Sequence, residues 1–412
     1  MIRPSVDMME ALRLTRQGRL EEAMAVLRGG AAPVGEGSVE REAGKGTAPV
    51  LDMVPPSVET GGAWTAPPTR PAGEATQRAD NGSRPPSTPS GFLDRLRRFD
   101  LPGGWERAAG APKPAKVVVL AGATFETCDF ANEAGSRRYK LYVPSCYKGQ
   151  AMPLVLMLHG CSQSPDDFAA GTRMNECAEE QGLFVAYPAQ PASANPSRCW
   201  NWFEGSEQRR DQGEPSLIAG LTRQIMRDVA VDAGRVYVAG LSAGGAAAAI
   251  MGATYPDLYA AVGVHSGLAY AAANDVASAF AAMRHGPPHL ARPPARPLPL
   301  IVFHGDRDAT VAPANAASLI HHAVMAASPD RRPETLPTAV TGGQVPGGHA
   351  YSRTRYQDPA GTPLAELWTI HESGHAWSGG IPHGSYTDPD GPDASAEFIR
   401  FFLEHPAIPP AR

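Results

Sequence analysis

The sequence predicts an α/β fold, a mainly parallel sheet with helices on both faces, and two observations carry that prediction. From about Ala115 to the end of the chain, short apolar runs alternate with segments of helical periodicity. The runs are apolar at consecutive positions instead of alternating, as expected of strands buried on both faces. With 412 residues and 42% hydrophobic content, the chain holds enough apolar material for one large domain plus additional segments.

Taken in order, residues 1–28 contain MMEALRLTRQGRLEEAMAVLR, with apolar residues at helical spacing on either side of Gly18. This reads as an amphipathic helical segment. It looks like one tetratricopeptide-type helix pair, but no further copies follow and one unit cannot bury its own face. Residues 29–90 shift to Pro, Gly, Thr, Ala and Glu without periodicity, which predicts a disordered N-terminal linker. In 91–114, Phe92, Leu93, Leu96 and Phe99 recur at helical spacing among Arg95, Arg97 and Arg98. That is a short basic amphipathic helix, able to dock on its own domain or on a lipid-like or granule surface.

The main domain is expected over 115–412. VVVLAG, YKLYVP, PLVLMLHG, LFVAYP, RVYVAG, YAAVGVH, LPLIVFHG and AELWTIH read as its strands, and Leu217, Leu221, Ile225 and Val229 form a helical stripe behind Pro215. The net charge of −5 comes without a Lys/Arg block, so nucleic acid is not an expected partner. No run of about 18 apolar residues predicts a transmembrane segment, and the Arg and Glu scattered through the first 30 residues do not fit an export signal. Cys128, Cys146, Cys161, Cys177 and Cys199 leave room for one or two bridges and show no CxxC pair for zinc.

In a sheet of this kind reactive groups gather at the carboxyl ends of strands, and three motifs fall there. Gly240-Leu241-Ser242-Ala243-Gly244 lies between the strand RVYVA and a helix-forming run, the G-x-S-x-G nucleophile elbow. A serine hydroxyl needs a base and a group that orients the base. His304-Gly305-Asp306-Arg307-Asp308 follows LPLIVF and offers two acids; Asp308 is the expected orienting carboxylate, because Val311 can anchor the loop while Asp306 suits the turn. His375, in HESGHAWSGG after AELWTI, is the expected general base. The chain order Ser, Asp, His is that of the α/β-hydrolase fold. Main-chain N–H groups of Ala243 and of Cys161, in the turn after PLVLMLHG, are the expected oxyanion hole.

Two other patterns compete. His371-Glu372-Ser373-Gly374-His375 matches the H-E-x-x-H zinc-peptidase motif, with His383 as a third ligand, but that motif needs a helix, and Leu367 to Ile370 read as strand. Asp388, Asp390 and Asp393 hint at calcium yet lack the full loop pattern and read as a surface turn. Neither a metal nor an organic cofactor is expected.

Several longer stretches resemble the polyhydroxybutyrate depolymerase-like esterases, which are related to feruloyl and acetylxylan esterases. They are SRRYKLYVPSCY, LMLHGCSQSPDDFAAGTRMNECAEEQGLFVAYPAQPASANPSRCWNWF, RVYVAGLSAGG, VHSGLAY, HGDRDATV, HAWSGG and GSYTDPDGPDAS. The resemblance spans about residues 115–405 and implies Ser242, Asp308 and His375 as the triad, Cys161 and Ala243 as oxyanion donors, and Trp200 and Trp202 near the substrate or in the core. It implies an ester substrate, either a short-chain polyhydroxyalkanoate polymer or oligomer, or a feruloyl or acetylxylan ester, with a non-catalytic interaction protein as the rival outside the hydrolases. Family members are commonly extracellular, whereas the N-terminus here fits a cytoplasmic chain equally. Cys161 and Cys199 either form a disulfide that braces two loops over the site or stay as reduced, packed thiols.

Overall fold

A computed structural model describes residues 117–407, apart from 288–295, 297, 328–332, 334–335, 337 and 359. The segments read from sequence as 1–28, 29–90 and 91–114 lie outside the described residues.

The described chain forms a ten-stranded sheet in the order β1-β2-β4-β3-β5-β6-β7-β10-β9-β8. Its strands are β1 (Thr124–Asn132), β2 (Gly135–Val143), β3 (Met152–Leu158), β4 (Phe184–Pro188), β5 (Val231–Leu241), β6 (Ala261–His265), β7 (Leu300–Gly305), β8 (Thr338–Gln344), β9 (Ala350–Gln357) and β10 (Pro363–Ile370). The six central strands, from β4 to β10, run parallel. Antiparallel pairs flank them on both edges. The helices are α1 (Pro165–Thr172), α2 (Met174–Gln181), α3 (Gly213–Asp228), α4 (Ala243–Thr254), α5 (Val276–His285), α6 (Ala314–Ala327) and α7 (Ala394–Glu404).

Strand periodicity sorts the core into two layers. Leu154, Leu156 and Leu158 of β3 face the layer containing α3 to α6, while Val155 and Met157 face the layer with α1, α2 and α7. Both layers are buried, which is why the central strands read as unbroken apolar runs. In the second layer Phe398 of α7 packs edge-on against Phe303 and Trp377, at 5.5 and 5.3 Å between ring centroids. Truncating it to Ala would cost about 3–5 kcal/mol. Helix ends follow local chemistry: Ser164 caps α1 by accepting the Asp167 N–H with Pro165 next in line, and Asp393 caps α7 through the Ala396 N–H.

Two readings of the sequence need correction. VVVLAG is not a strand: Val118, Val119 and Leu120 are exposed and have no ladder partner, and the sheet edge starts at Thr124. Conversely β1, β8 and β9 carry no apolar run: β1 and β8 are edge strands that face water, and β9, paired on both sides, has no fully buried residue. None of the described helices is long and apolar enough to cross a membrane.

Candidate active site

Ser242 stands between β5 and α4 with φ 58° and ψ −120°, a conformation that L-residues rarely adopt. Its flanking glycines explain how the chain tolerates it. A Cβ on Gly244 would run into the carbonyl oxygens of Leu158 and His159, and one on Gly240 into the backbone of Gly244. Only hydrogen at both positions lets α4 start against the end of β3. The Ser242 N–H donates to the His265 carbonyl at 2.9 Å, tying the elbow to β6. Ala243, the first residue of α4, has no intrahelical acceptor for its N–H.

At the end of β7 the two acids separate cleanly. Asp308 is buried, its Oδ1 accepting the N–H groups of Thr310 (2.9 Å) and Val311 (2.8 Å) while Oδ2 lies 2.7 Å from His375 Nδ1. Val311 is itself buried and anchors this turn. Burial pushes the Asp308 carboxyl up, but the bond and charge of His375 and the neighbouring His304 outweigh it, leaving the group below the usual aspartate range. Asp306 instead turns to His371, Oδ2 to Nδ1 at 2.9 Å, and His371 Nε2 meets Ser352 Oγ at 2.9 Å.

The loop after β10 passes close over β7, where a Cβ on Gly305 would meet the Ser373 and Gly374 carbonyls. Two buried histidines sit below His375. His265 accepts the Ser378 N–H at Nε2 (3.0 Å) and stacks on Trp377, while His304 Nε2 donates to the Val311 carbonyl at 2.7 Å. Burial depresses both imidazoles, His265 far below the ordinary histidine range. Burial thus favours the uncharged ring in both.

The oxyanion turn follows β3. Gln163 accepts the Gly160 N–H (2.9 Å), the Ser197 carbonyl accepts the Ser162 N–H (2.7 Å), and the Cys161 main chain lies between them. Cys161 is bonded to Cys199, 38 residues on, so of the two cysteine readings the structure has the bridge. Cys128, Cys146 and Cys177 are free. Trp200 is fully buried, and its indole N–H donates to the His159 carbonyl at 3.0 Å. Trp202 is also buried, edge-on to Phe203 at 5.7 Å. Both tryptophans belong to the core layer that contains α3 to α6.

The competing motifs dissolve into local contacts. Residues 371–376 form a turn and not a helix, and their two histidines face different carboxylates, Asp306 and Asp308. Among the described residues no cluster of three or more His, Cys, Asp or Glu side chains could hold a metal ion. Asp388 accepts the Ser373 hydroxyl at 2.5 Å and lies 3.2 Å from His349, so it braces the His375 loop, and Asp393 is a helix cap. The bracing residues His265, His304 and Asp388 carry no local signature; only their positions inside the quoted motif stretches VHSGLAY, HGDRDATV and GSYTDPDGPDAS could have pointed to them.

A ten-stranded, centrally parallel sheet with a strained serine at its strand-to-helix elbow, and an Asp–His pair at the ends of nearby strands, is the arrangement of the α/β-hydrolase fold. The fold is shared by the acetyl xylan esterase from Aspergillus awamori, with a TM-score of 0.52 at 17% identity, over 68% of this chain and 99% of that one. The family model described as Esterase PHB depolymerase matches residues 137–327. Ser242, Asp308 and Cys161 fall inside the match, and His375 beyond it. Poly(3-hydroxyalkanoate) depolymerase C of Paucimonas lemoignei is 32% identical over 265 residues, 61% of this chain and 61% of the relative. Feruloyl esterase B of Neurospora crassa is 34% identical over 151 residues, 36% of this chain and 50% of the relative. The chain thus spans between half and three fifths of the length of these two relatives.

Proposed function

We propose that the protein is a serine carboxylic-ester hydrolase and that Ser242, His375 and Asp308 act together in two-step acyl transfer. Ser242 Oγ attacks the ester carbonyl as His375 takes its proton, with Asp308 holding Nδ1–H so that Nε2 is the free base. The alkoxide of the tetrahedral intermediate points at the Ala243 and Cys161 N–H groups. His375 returns the proton to the leaving alcohol, and water then hydrolyses the acyl-enzyme by the same route. The observation that carries this reading is the 2.7 Å contact between His375 and a buried carboxylate whose other oxygen is already saturated by two N–H donors. The scheme calls on no metal or organic cofactor.

The matches to a polyhydroxyalkanoate depolymerase and to the esterase PHB depolymerase family favour short-chain polyhydroxyalkanoate polymers or oligomers as substrates. The second reading, a feruloyl or acetylxylan esterase, is favoured by the Neurospora relative and by the acetylxylan esterase A of Emericella nidulans, 29% identical over 209 residues. The catalytic unit in this proposal starts near residue 115, and residues 91–99 would supply contact with a lipid-like or granule surface. A panel of hydroxybutyrate oligomers, feruloyl esters and acetylated xylan separates the two readings. Ser242→Ala should retain the fold and lose turnover on the preferred substrate by about 10⁴-fold or more. A folded Ser242→Ala protein with undiminished turnover would remove the proposal.

A further inference from the structure

One buried carboxylate takes no part in this scheme and yet lies behind the oxyanion turn. Glu214, the second residue of α3, is 5% exposed. It accepts from the Asn201 main-chain N–H and from Asn201 Nδ2, both at 2.9 Å, and from Gln190 Nε2, with Arg137 Nη2 at 3.5 Å. Gln190 and Asn201 lead to the turn. The Gln190 N–H donates to His159 Nε2 at 3.1 Å, and its side chain also donates to the Cys199 carbonyl at 2.9 Å. Between Gln190 and Asn201 the loop carries Cys199, bonded to Cys161, and Trp200, bonded to the His159 carbonyl.

We propose that Glu214 is a positioning residue for the second oxyanion donor: its carboxylate holds both ends of the loop whose Cys199 and Trp200 fix the Cys161 turn. The proposal rests on the ester-hydrolysis reading of Ser242. An ionised carboxylate only accepts, and all four groups around Glu214 donate, so the ionised form fits the cluster. A protonated acid, or an amide, must turn a donor against a donor and release one strut. Burial pushes Glu214 up to about 7, against the pull of the Asn201 N–H and Arg137, which places that release near neutral pH. The other titratable groups facing it are few. Arg137 comes from β2, and Glu207, from the 3₁₀ turn Gly205–Gln208, accepts the Glu214 N–H at 2.6 Å. His159, reached through Gln190, is pushed down to about 4 by burial and is neutral throughout this range.

The test compares full-length wild type with Glu214→Gln on a small soluble ester from pH 6 to 8.5, with hydrogen exchange followed in segments 159–163 and 190–203. At pH 8 the variant should lose about tenfold in kcat with KM unchanged, because a donor held loosely costs transition-state stabilisation and not ground-state binding. The wild-type to variant ratio should shrink toward one at pH 6, where wild type is itself protonated. Exchange in both segments should be faster in the variant at pH 8. If Glu214→Gln does not fold, the wild type alone suffices: after correction for intrinsic chemistry, protection of the two segments should fall between pH 8 and pH 6. A kcat ratio independent of pH, or exchange indifferent to both the substitution and pH, overturns the proposal. Undiminished turnover in Ser242→Ala would instead remove the hydrolase reading, and the exchange data would still judge the bracing.

Discussion

Replacing Asp308 by Asn separates the two acids of the HGDRD loop, and its effect follows from the hydrogen-bond geometry. Oδ1 of Asp308 takes two main-chain N–H groups, from Thr310 and Val311, so an Asn must present its one carbonyl oxygen there or set an NH₂ against two buried donors. The amide nitrogen then lands where Oδ2 was, 2.7 Å from His375 Nδ1. An NH₂ donates, so Nδ1 must accept and the ring proton moves to Nε2, the atom that has to take the serine proton. A wrong tautomer of this kind lowers kcat by about 10⁴-fold, which is about 5.5 kcal/mol of barrier. KM for a small ester should stay within about twofold, because ground-state binding does not involve the tautomer. Asp306→Asn, which disturbs only the half-exposed His371, should keep kcat within about threefold. Steady-state kinetics on a chromogenic short-chain ester, with circular dichroism to establish folding, decides the matter. A folded Asp308→Asn enzyme with more than about a tenth of wild-type kcat would refute the reasoning, as would equal losses for the two substitutions.

Three further outcomes are expected. Gly244→Ala should destabilise the protein by about 3 kcal/mol in urea unfolding, because its Cβ meets main-chain oxygens of Leu158 and His159 that no rotamer change can move; an unchanged midpoint would contradict the close approach. Cys199→Ser should cost about 2–4 kcal/mol of stability and lower kcat while leaving the main-chain donor of Cys161 present, and mass spectrometry of non-reduced protein should find Cys161 and Cys199 linked. Burial raises the carboxyl of Glu366, but Arg353 and Arg400 pull it below its ordinary range, so its stabilisation is complete above the usual glutamate pKa and is lost as pH falls through the folded value. Glu366→Gln should therefore cost about 3 kcal/mol at pH 7 and progressively less in acid, and a cost that stays constant down to pH 3 would count against the ion-pair account.

How much of this is legible without coordinates depends on the range of the interaction that decides each feature. The parallel centre of the sheet is readable because β3 to β7 are buried on both faces and spell that burial in consecutive apolar residues. The outer strands β1, β8 and β9 are not, since they bury few side chains and are held by main-chain bonds to partners that no local pattern names. The strand ends bearing Ser242, Asp308 and His375 are marked by short motifs, because a tight elbow needs glycine beside the serine and a loop needs turn residues around its acid. Asp308 is preferred over Asp306 in the sequence because Val311 can anchor its loop and Asp306 suits the turn, and the structure shows why the two acids diverge: one carboxylate is buried and saturated by its own turn, and the other accepts the Glu372 N–H and faces a half-exposed histidine.

The sequence by itself determines the order of the strands along the chain, the glycines that permit the Ser242 conformation, and the candidate nucleophile, acid and base, since each of these is encoded within a few consecutive residues. Tertiary structure alone decides the Cys161–Cys199 bridge, the burial of Trp200, the buried pair His265 and His304 near His375, and the Glu214 cluster behind the oxyanion turn. Those features join residues from seven to more than a hundred positions apart, and a buried polar group finds its partners only when the sheet has brought its strand ends together and excluded water from between them.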